Sequence, residues 1–269
     1  MWKMKRLDYR NKTAIITGAS SGIGKEIANM LISDYGCTVY GIARNENRLN
    51  ETKRQLGEKF IPYSMDVSIK ENWFDFGEFL KNNDTCVDIL INCAGILPKF
   101  ASFENTEIEE YEKAIYINYL SQVYGCKVIL PFMNENGAMV NVASSSALCP
   151  FSLVSGYTAS KSASYHFTQS ISREIKSVSV SCVLCGFVKT DIMKNQDINE
   201  KETKLIGLVS ADCKKTVKKI LRRVKRRKKR IVTGFDGHFM SIMYRLFPNF
   251  APKFFSWFLK KSGLNIFKN

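Results

Sequence analysis

An apolar run from Lys12 to Thr17 (KTAIIT) leads directly into Gly18-Ala19-Ser20-Ser21-Gly22-Ile23-Gly24, and a helical pattern follows from Ile23 to Ile32. Strand, glycine loop and helix in that order gather backbone N–H groups and the positive end of a helix dipole at one point, which suits an anion. Gly18, Gly22 and Gly24 fall where the backbone must approach a phosphate and where the helix must sit close to its strand. An isolated glycine cluster is more often a plain turn. At the front of an alternating chain, it points instead to a dinucleotide site built by Gly18, Ser20, Ser21, Gly22, Ile23 and Gly24.

The rest of the chain does alternate. Further strands are expected at Cys37–Ala43, Phe60–Ser64, Val87–Ile91, Ala138–Val142, Val178–Leu184 and Arg230–Thr233. Helices are expected at 47–57, 71–81, 109–133 and 156–176, with another under the basic stretch near 217–224. Short Val- and Ile-rich strands between helices predict an α/β fold: a single Rossmann-like, doubly wound, mainly parallel seven-stranded sheet with helices on both faces. Ligands in such a sheet sit beyond the carboxyl ends of the strands. The 269 residues suffice for one large core, assigned to residues 1–237, with 238–269 as an apolar, basic extension. Eight scattered cysteines without a secretory leader predict a reduced, cytoplasmic protein. Cys182 and Cys185 have CxxC spacing, but on a strand they face opposite ways and read as core filling, so no metal site is expected.

Tyr157 to Lys161 (YTASK) places a phenol and an ammonium four residues apart, on one face of a helix. A nearby cation favours the phenolate and draws a tyrosine pKa down from about 10. The spacing alone is that of many surface pairs, so its context decides. Ser144 closes the fifth strand and Tyr157 opens the next helix, which lets them converge at one rim with Asn92 and Asn118.

Taken together, these stretches resemble the classical short-chain dehydrogenase/reductase family from Lys12 to about Met193. The loop matches TGxxxGxG, Asn92-Cys93-Ala94-Gly95 matches NNAG with Cys at its second position, and YTASK matches YxASK. Ser144, thirteen residues before Tyr157, stands where the family has its catalytic serine, and Asn118 matches the asparagine of the long central helix. The resemblance implies reversible hydride transfer between a nicotinamide and a carbonyl or alcohol. Tyr157 would be the general acid or base, and Lys161 would lower its pKa and hold the ribose. Ser144 would bond the carbonyl oxygen, with Ser145 or Ser146 as alternatives, and Asn118 would hold a water of the proton relay. Asn92, Ala94 and Gly95 would line the cofactor, and Asp66 and Val67 would meet its adenine. Cys185-Gly186 replaces the family's Pro-Gly below the nicotinamide, followed by Val188 and Thr190; Thr190 bonds the carboxamide or, with Asp191, caps a helix. The resemblance also implies a homodimer or homotetramer paired through the helices of Asn118 and Tyr157. The alternative is an NADP-binding sensor or scaffold of the same fold, without turnover.

Cofactor choice turns on the end of the second strand. A carboxylate there would accept the ribose 2′-hydroxyl of NAD, whereas an arginine accommodates the 2′-phosphate of NADP. The chain has Ala43 at the acidic position and Arg44 after it, so NADP(H) is expected over NAD(H), with Glu46 opening the next helix.

Charge marks the last third. The net charge is +15, and twelve of the seventeen residues from Lys214 to Arg230 are Lys or Arg. Within them Val217, Ile220, Leu221 and Val224 form an apolar stripe, so this is an amphipathic helix with one face buried. Without interleaved aromatics or a recognition helix, nucleic acid is not an expected partner. No apolar stretch reaches the roughly 20 residues of a membrane span. Residues Phe239–Leu259 read as two short amphipathic helices that either lie on an anionic membrane surface or cover the substrate mouth or a second subunit. With the family's lipophilic precedents, the expected substrate is an apolar carbonyl or alcohol, for an enzyme in the cytoplasm or peripheral to a membrane.

Overall fold

The computed structural model of the chain describes residues 4–190 and 210–261 together with Ile192, Gln196 and Gly207. Most of residues 191–209, Asp191 and Met193 among them, lie outside the described residues. The chain alternates through β1 (Thr13–Thr17), α1 (Gly22–Tyr35), β2 (Thr38–Ala43), α2 (Glu46–Leu56), β3 (Phe60–Ser64), α3 (Lys70–Asn82) and β4 (Val87–Asn92). It continues through α4 (Ile108–Ile115), α5 (Ser121–Ile129), β5 (Met133–Ser144), α6 (Ser155–Glu174) and β6 (Ser179–Cys185). Then come α7 (Cys213–Lys225), β7 (Arg230–Val232), α8 (Phe235–Leu246) and α9 (Ala251–Lys261).

The seven strands form one parallel sheet in the order β3-β2-β1-β4-β5-β6-β7. Winding reverses between β1 and β4, and the two chain paths part there to leave a crevice at the carboxyl ends. Neighbouring residues of β1 show why both faces need cover: Ile16 joins the core under α1 and α7, and Ile15 joins the one under α3 and α5. The predicted stripe of α7, Val217, Ile220, Leu221 and Val224, is buried in the first of these cores. Burying each such side chain stabilises by about 1.5–3 kcal/mol. Like charges one turn apart on the same helix cost only about 0.2–0.5 kcal/mol per pair, so burial wins and the basic segment stays helical.

Two expectations need correction. The single helix expected over 109–133 is α4, a π turn (Tyr116–Leu120), α5 and a 3-10 turn (Leu130–Phe132). Pro131, lacking an N–H, sits in that last turn and ends the helix. Strand β5 begins at Met133 rather than Ala138. Val87 pairs with Met133 and Ile89 with Ala138, so the chain bulges between them, with Asn136 in the left-handed region. The bulge carries exposed Asn134, Glu135 and Asn136 and no apolar alternation, which hides it from pattern reading.

The C-terminal helices lie on the domain with one face. Met240, Ala251 and Phe255 are buried with Cys149 and Phe151 of the segment after β5. Among the described residues, no helix is long and apolar enough to cross a membrane.

Candidate active site

The glycine loop is drawn tight by its surroundings. Gly18 has φ +70, and a Cβ there would come within 3.1 Å of the Ala94 backbone. A side chain at this position would therefore be strained and would push β4 away. Gly24 lies against the Gly18 carbonyl, with no room for a Cβ. The Thr17 hydroxyl accepts hydrogen bonds from Cys93 N (2.9 Å) and Ala94 N (3.0 Å), tying the end of β1 to the turn after β4. Ser21 precedes α1 in extended conformation and makes no side-chain cap, and the methyl of Thr190 lies 3.2 Å from where a Gly22 Cβ would be. Ser20, Ser21, Gly22 and Ile23 thus form a partly exposed rim with Thr190 folded against it. A cradle of backbone and small side chains at the start of a helix suits a diphosphate.

At the end of β2, Arg44 stands 3.8 Å from Asp66 Oδ2 with its side chain 58% exposed. Ser68 fixes the Asp66 carboxylate through N (2.9 Å) and Oγ (2.6 Å), and Val67 is buried beside it. Asn45 caps α2 by accepting from Arg48 N, and Glu46 is the first helical residue. No acid therefore occupies the position after Ile42, and the guanidinium remains open to solvent.

Across the crevice, Tyr157, Lys161, Ser144 and Asn118 come together. The Ser144 hydroxyl faces the Tyr157 phenol, whose pKa it draws down, and accepts from Ser146 N at 3.2 Å. Ser145 and Ser146 are buried behind it. Lys161 is buried, with Nζ 3.3 Å from the Val142 carbonyl and 5.8 Å from the centre of the Tyr157 ring. A Cβ on Gly95 would lie 3.0 Å from Asn118 Oδ1 and 3.1 Å from Lys161 Nζ, so the turn after β4 closes over both.

The expected depression of the Tyr157 pKa is not found. Burial of the phenolate pushes the pKa up to about 12, against the downward pull of the Ser144 hydrogen bond. Burial also lowers the pKa of Lys161. Desolvation opposes charge on either group, so the phenol holds its proton and is an acid at neutral pH.

Two asparagine side chains are held by bonds within the protein. Asn118, in the π turn, accepts from Ile96 N (2.8 Å) and donates to Ile96 O and Ser160 Oγ (3.0 Å each). Its side chain clamps the backbone after β4 to α6. Asn92 closes β4 and is buried. Its side chain is buried below, donating to Asn141 Oδ1 at 2.8 Å, while Asn141 donates to Thr168 Oγ1 at 3.0 Å.

Cys185 and Cys182 are free and belong to separate cores on opposite faces of β6. After β6 the chain is held from two sides. The Asp236 carboxylate of α8 accepts from Phe187 N at 2.7 Å, and Val188 bridges to Ala211. Thr190 Oγ1 stands 3.4 Å from the Val188 carbonyl, a long contact that leaves the hydroxyl weakly held. Gln196, buried, accepts from Phe100 N (3.0 Å) and donates to the Pro98 carbonyl (3.0 Å) in the turn after β4. Ser160, Gln196 and Asp236 join the site beyond the motif residues: Ser160 lies inside YTASK and is visible there, whereas Gln196 and Asp236 depend on contacts between segments 40 or more residues apart.

Comparison with known proteins agrees with this geometry. A family model described as short chain dehydrogenase matches residues 12–201. An uncharacterized oxidoreductase of Staphylococcus epidermidis is 31% identical over 199 residues, 72% of this chain and 85% of that one. A 3-ketodihydrosphingosine reductase of Bos taurus is 27% identical over 242 residues, 84% of this chain and 72% of that one. The crystal structure of a short-chain dehydrogenase from Streptomyces avermitilis superposes with a TM-score of 0.76 at 21% identity, covering 94% of this chain and 99% of that one.

Proposed function

The chain belongs to the short chain dehydrogenase family, whose named relatives here are oxidoreductases and reductases, and on that premise we propose an NADP(H)-dependent enzyme that interconverts a lipophilic ketone and its secondary alcohol. The observation that carries this reading is the Tyr157 phenol facing Ser144, with Lys161 Nζ 5.8 Å from its ring centre, on the rim that also bears the glycine loop.

A nicotinamide cofactor supplies the hydride when it is bound. The chain would hold its diphosphate on Gly18, Ser20, Ser21, Gly22, Ile23 and Gly24, its adenine by Asp66 and Val67, and its ribose by Lys161. Ala94, Gly95, Val188 and Thr190 would enclose the nicotinamide end. Arg44, exposed and without a competing acid at Ala43, favours the 2′-phosphate of NADP. Ser144 holds the substrate oxygen as negative charge develops, and Tyr157 gives it a proton. Asn118 works through Ile96 and Ser160 as a positioning residue. A phenol that keeps its proton favours reduction as the working direction.

The apolar, basic extension supports a lipophilic substrate received at an anionic membrane surface, and the naming of the bovine relative as a 3-ketodihydrosphingosine reductase favours the same class. Pairing of two copies would run through the helical segment of Asn118 and through α6, and the exposed Tyr116 beside Asn118 fits it. The test is a panel of apolar and polar ketones followed by NADPH absorbance and repeated with NADH. Turnover of apolar ketones with higher kcat/KM for NADPH is expected. Tight NADPH binding without turnover, or higher kcat/KM with NADH, would reject it.

A further inference from the structure

Where α7, β7 and α8 meet, the chain forms an open groove of about 890 Å³. Arg223, Arg230 and Arg245 line it from those three elements in turn, with His238 among them. Lys219 Nζ adds a further cation, 3.1 Å from His238 Nε2. Among the described residues no carboxylate pairs with any of the three arginines. Asp236, the acid closest in sequence to the groove-lining part of α8, is turned towards Phe187 N. The His238 pKa is lowered by burial and then by Lys219, Arg223 and Arg230, with Asp236 acting the other way. The local field is therefore positive; Arg230 donates to Ser241 Oγ at 2.6 Å, but among the described residues no acid neutralises the three arginines.

The same groove has an apolar wall. Ile242 and Leu246 line it and are 57% and 62% exposed. With Phe235 (86%) and Phe239 (38%) they continue at i, i+4, i+7 and i+11 along one face of α8, and Phe247 and Phe250 prolong that surface. A free phosphate would use the arginines and leave this stripe in water. A soluble protein ligand would match the stripe but leave three cations to be neutralised one by one. An anionic amphiphile satisfies both parts at once.

We propose that this groove holds the phosphate head group of an anionic membrane phospholipid while the exposed face of α8 enters the acyl layer. The assignment rests on the membrane-surface reading above and gives it an address. Docking there sets the groove against the bilayer and leaves the buried face of α8 on the domain, where Asp236 in its first turn holds the segment after β6.

The test uses the full chain and sedimentation with vesicles of phosphatidylcholine alone or with added phosphatidic acid. Three proteins are compared: wild type, R223Q/R230Q/R245Q, and K214Q/K215Q/K218Q, which removes the same charge from α7 residues that do not line the groove. Wild type should partition onto the phosphatidic acid vesicles. The groove variant should lose at least about tenfold in partitioning and the control no more than about twofold. Equal losses in both variants would mean diffuse attraction and would overturn the groove while leaving the membrane reading in place. Wild type remaining in the supernatant with every vesicle would overturn both. A melting curve of wild type raised by inorganic phosphate, without vesicle binding, would assign the groove to free phosphate and also overturn the lipid. A concentration-dependent dimer lost only in the groove variant, without vesicle binding, would assign it to a second copy. Melting curves of all three proteins guard against misfolding. If the groove variant melts early, R245Q alone, at an exposed site, takes its place and should still bind more weakly than the control.

Discussion

Helices α6 and α8 invert the usual rule of burial in opposite directions. The buried residues of α6 are Ser160, Lys161, Ser164, Thr168 and Ser172, every one polar. The large side chains exposed on α8 are Phe235, Phe239, Ile242 and Leu246, every one apolar. Polar burial is stable only where hydrogen bonds replace water, and α6 has them. Ser160 bonds Asn118, Ser164 donates to Gln122 at 2.6 Å, and Thr168 accepts from Asn141. On α8, Phe239 meets Phe254 and Phe255 of α9 edge-on, whereas Phe235, Ile242 and Leu246 stay more than half exposed among the described residues. The difference separates two kinds of function: α6 holds chemistry inside the molecule, and α8 presents a surface to something outside it.

Replacing Tyr157 by Phe tests the inward side most severely. It removes the proton donor and little packing, so kcat/KM for ketone reduction should fall by about 10²–10⁴ while the melting temperature stays put. Full activity in that variant would break the comparison at its catalytic end. Arg44→Ala should lower kcat/KM with NADPH by about tenfold to a hundredfold and leave that with NADH nearly unchanged, since one charge-assisted contact to the 2′-phosphate is lost. Equal losses with both cofactors would remove Arg44 from cofactor choice.

Asn118→Leu leaves the Ile96 N–H without its partner and should cost about 1–3 kcal/mol in denaturant unfolding. A double change of Ile242 and Leu246 to Ser, on exposed positions, should stay within about 0.5 kcal/mol of wild type for each substitution. The same double variant should lose vesicle binding. If the α8 variant proves the less stable of the two, its stripe is covered by the protein itself, and the contrast between the helices fails.

Much of this was legible from local chemistry. A strand-to-helix glycine loop and a Tyr and Lys one turn apart are set by short-range geometry, and the Ile15/Ile16 alternation announces a sheet covered on both faces. The groups that hold the site were harder to see. The π turn at Asn118 shifts hydrogen bonds by one residue without disturbing the apolar period. Asn92 and Asn118 carry the right side chains, but where each amide points depends on Asn141, Ile96 and Ser160, all distant in sequence. The direction of the Tyr157 pKa is hidden for the same reason: a nearby charge alone predicts a lowered value, and burial, a property of the whole fold, raises it.

That sign is the most direct test of a phenol poised as an acid. NMR titration of ring-labelled tyrosine, assigned to Tyr157 by its loss in Tyr157→Phe, reads it in the protein without cofactor. The phenol should keep its proton through neutral pH and titrate near 12, and Ser144→Ala, which removes the bond that pulls it down, should move it higher still. A Tyr157 phenol that titrates below about 10, the ordinary value for tyrosine, would contradict the account.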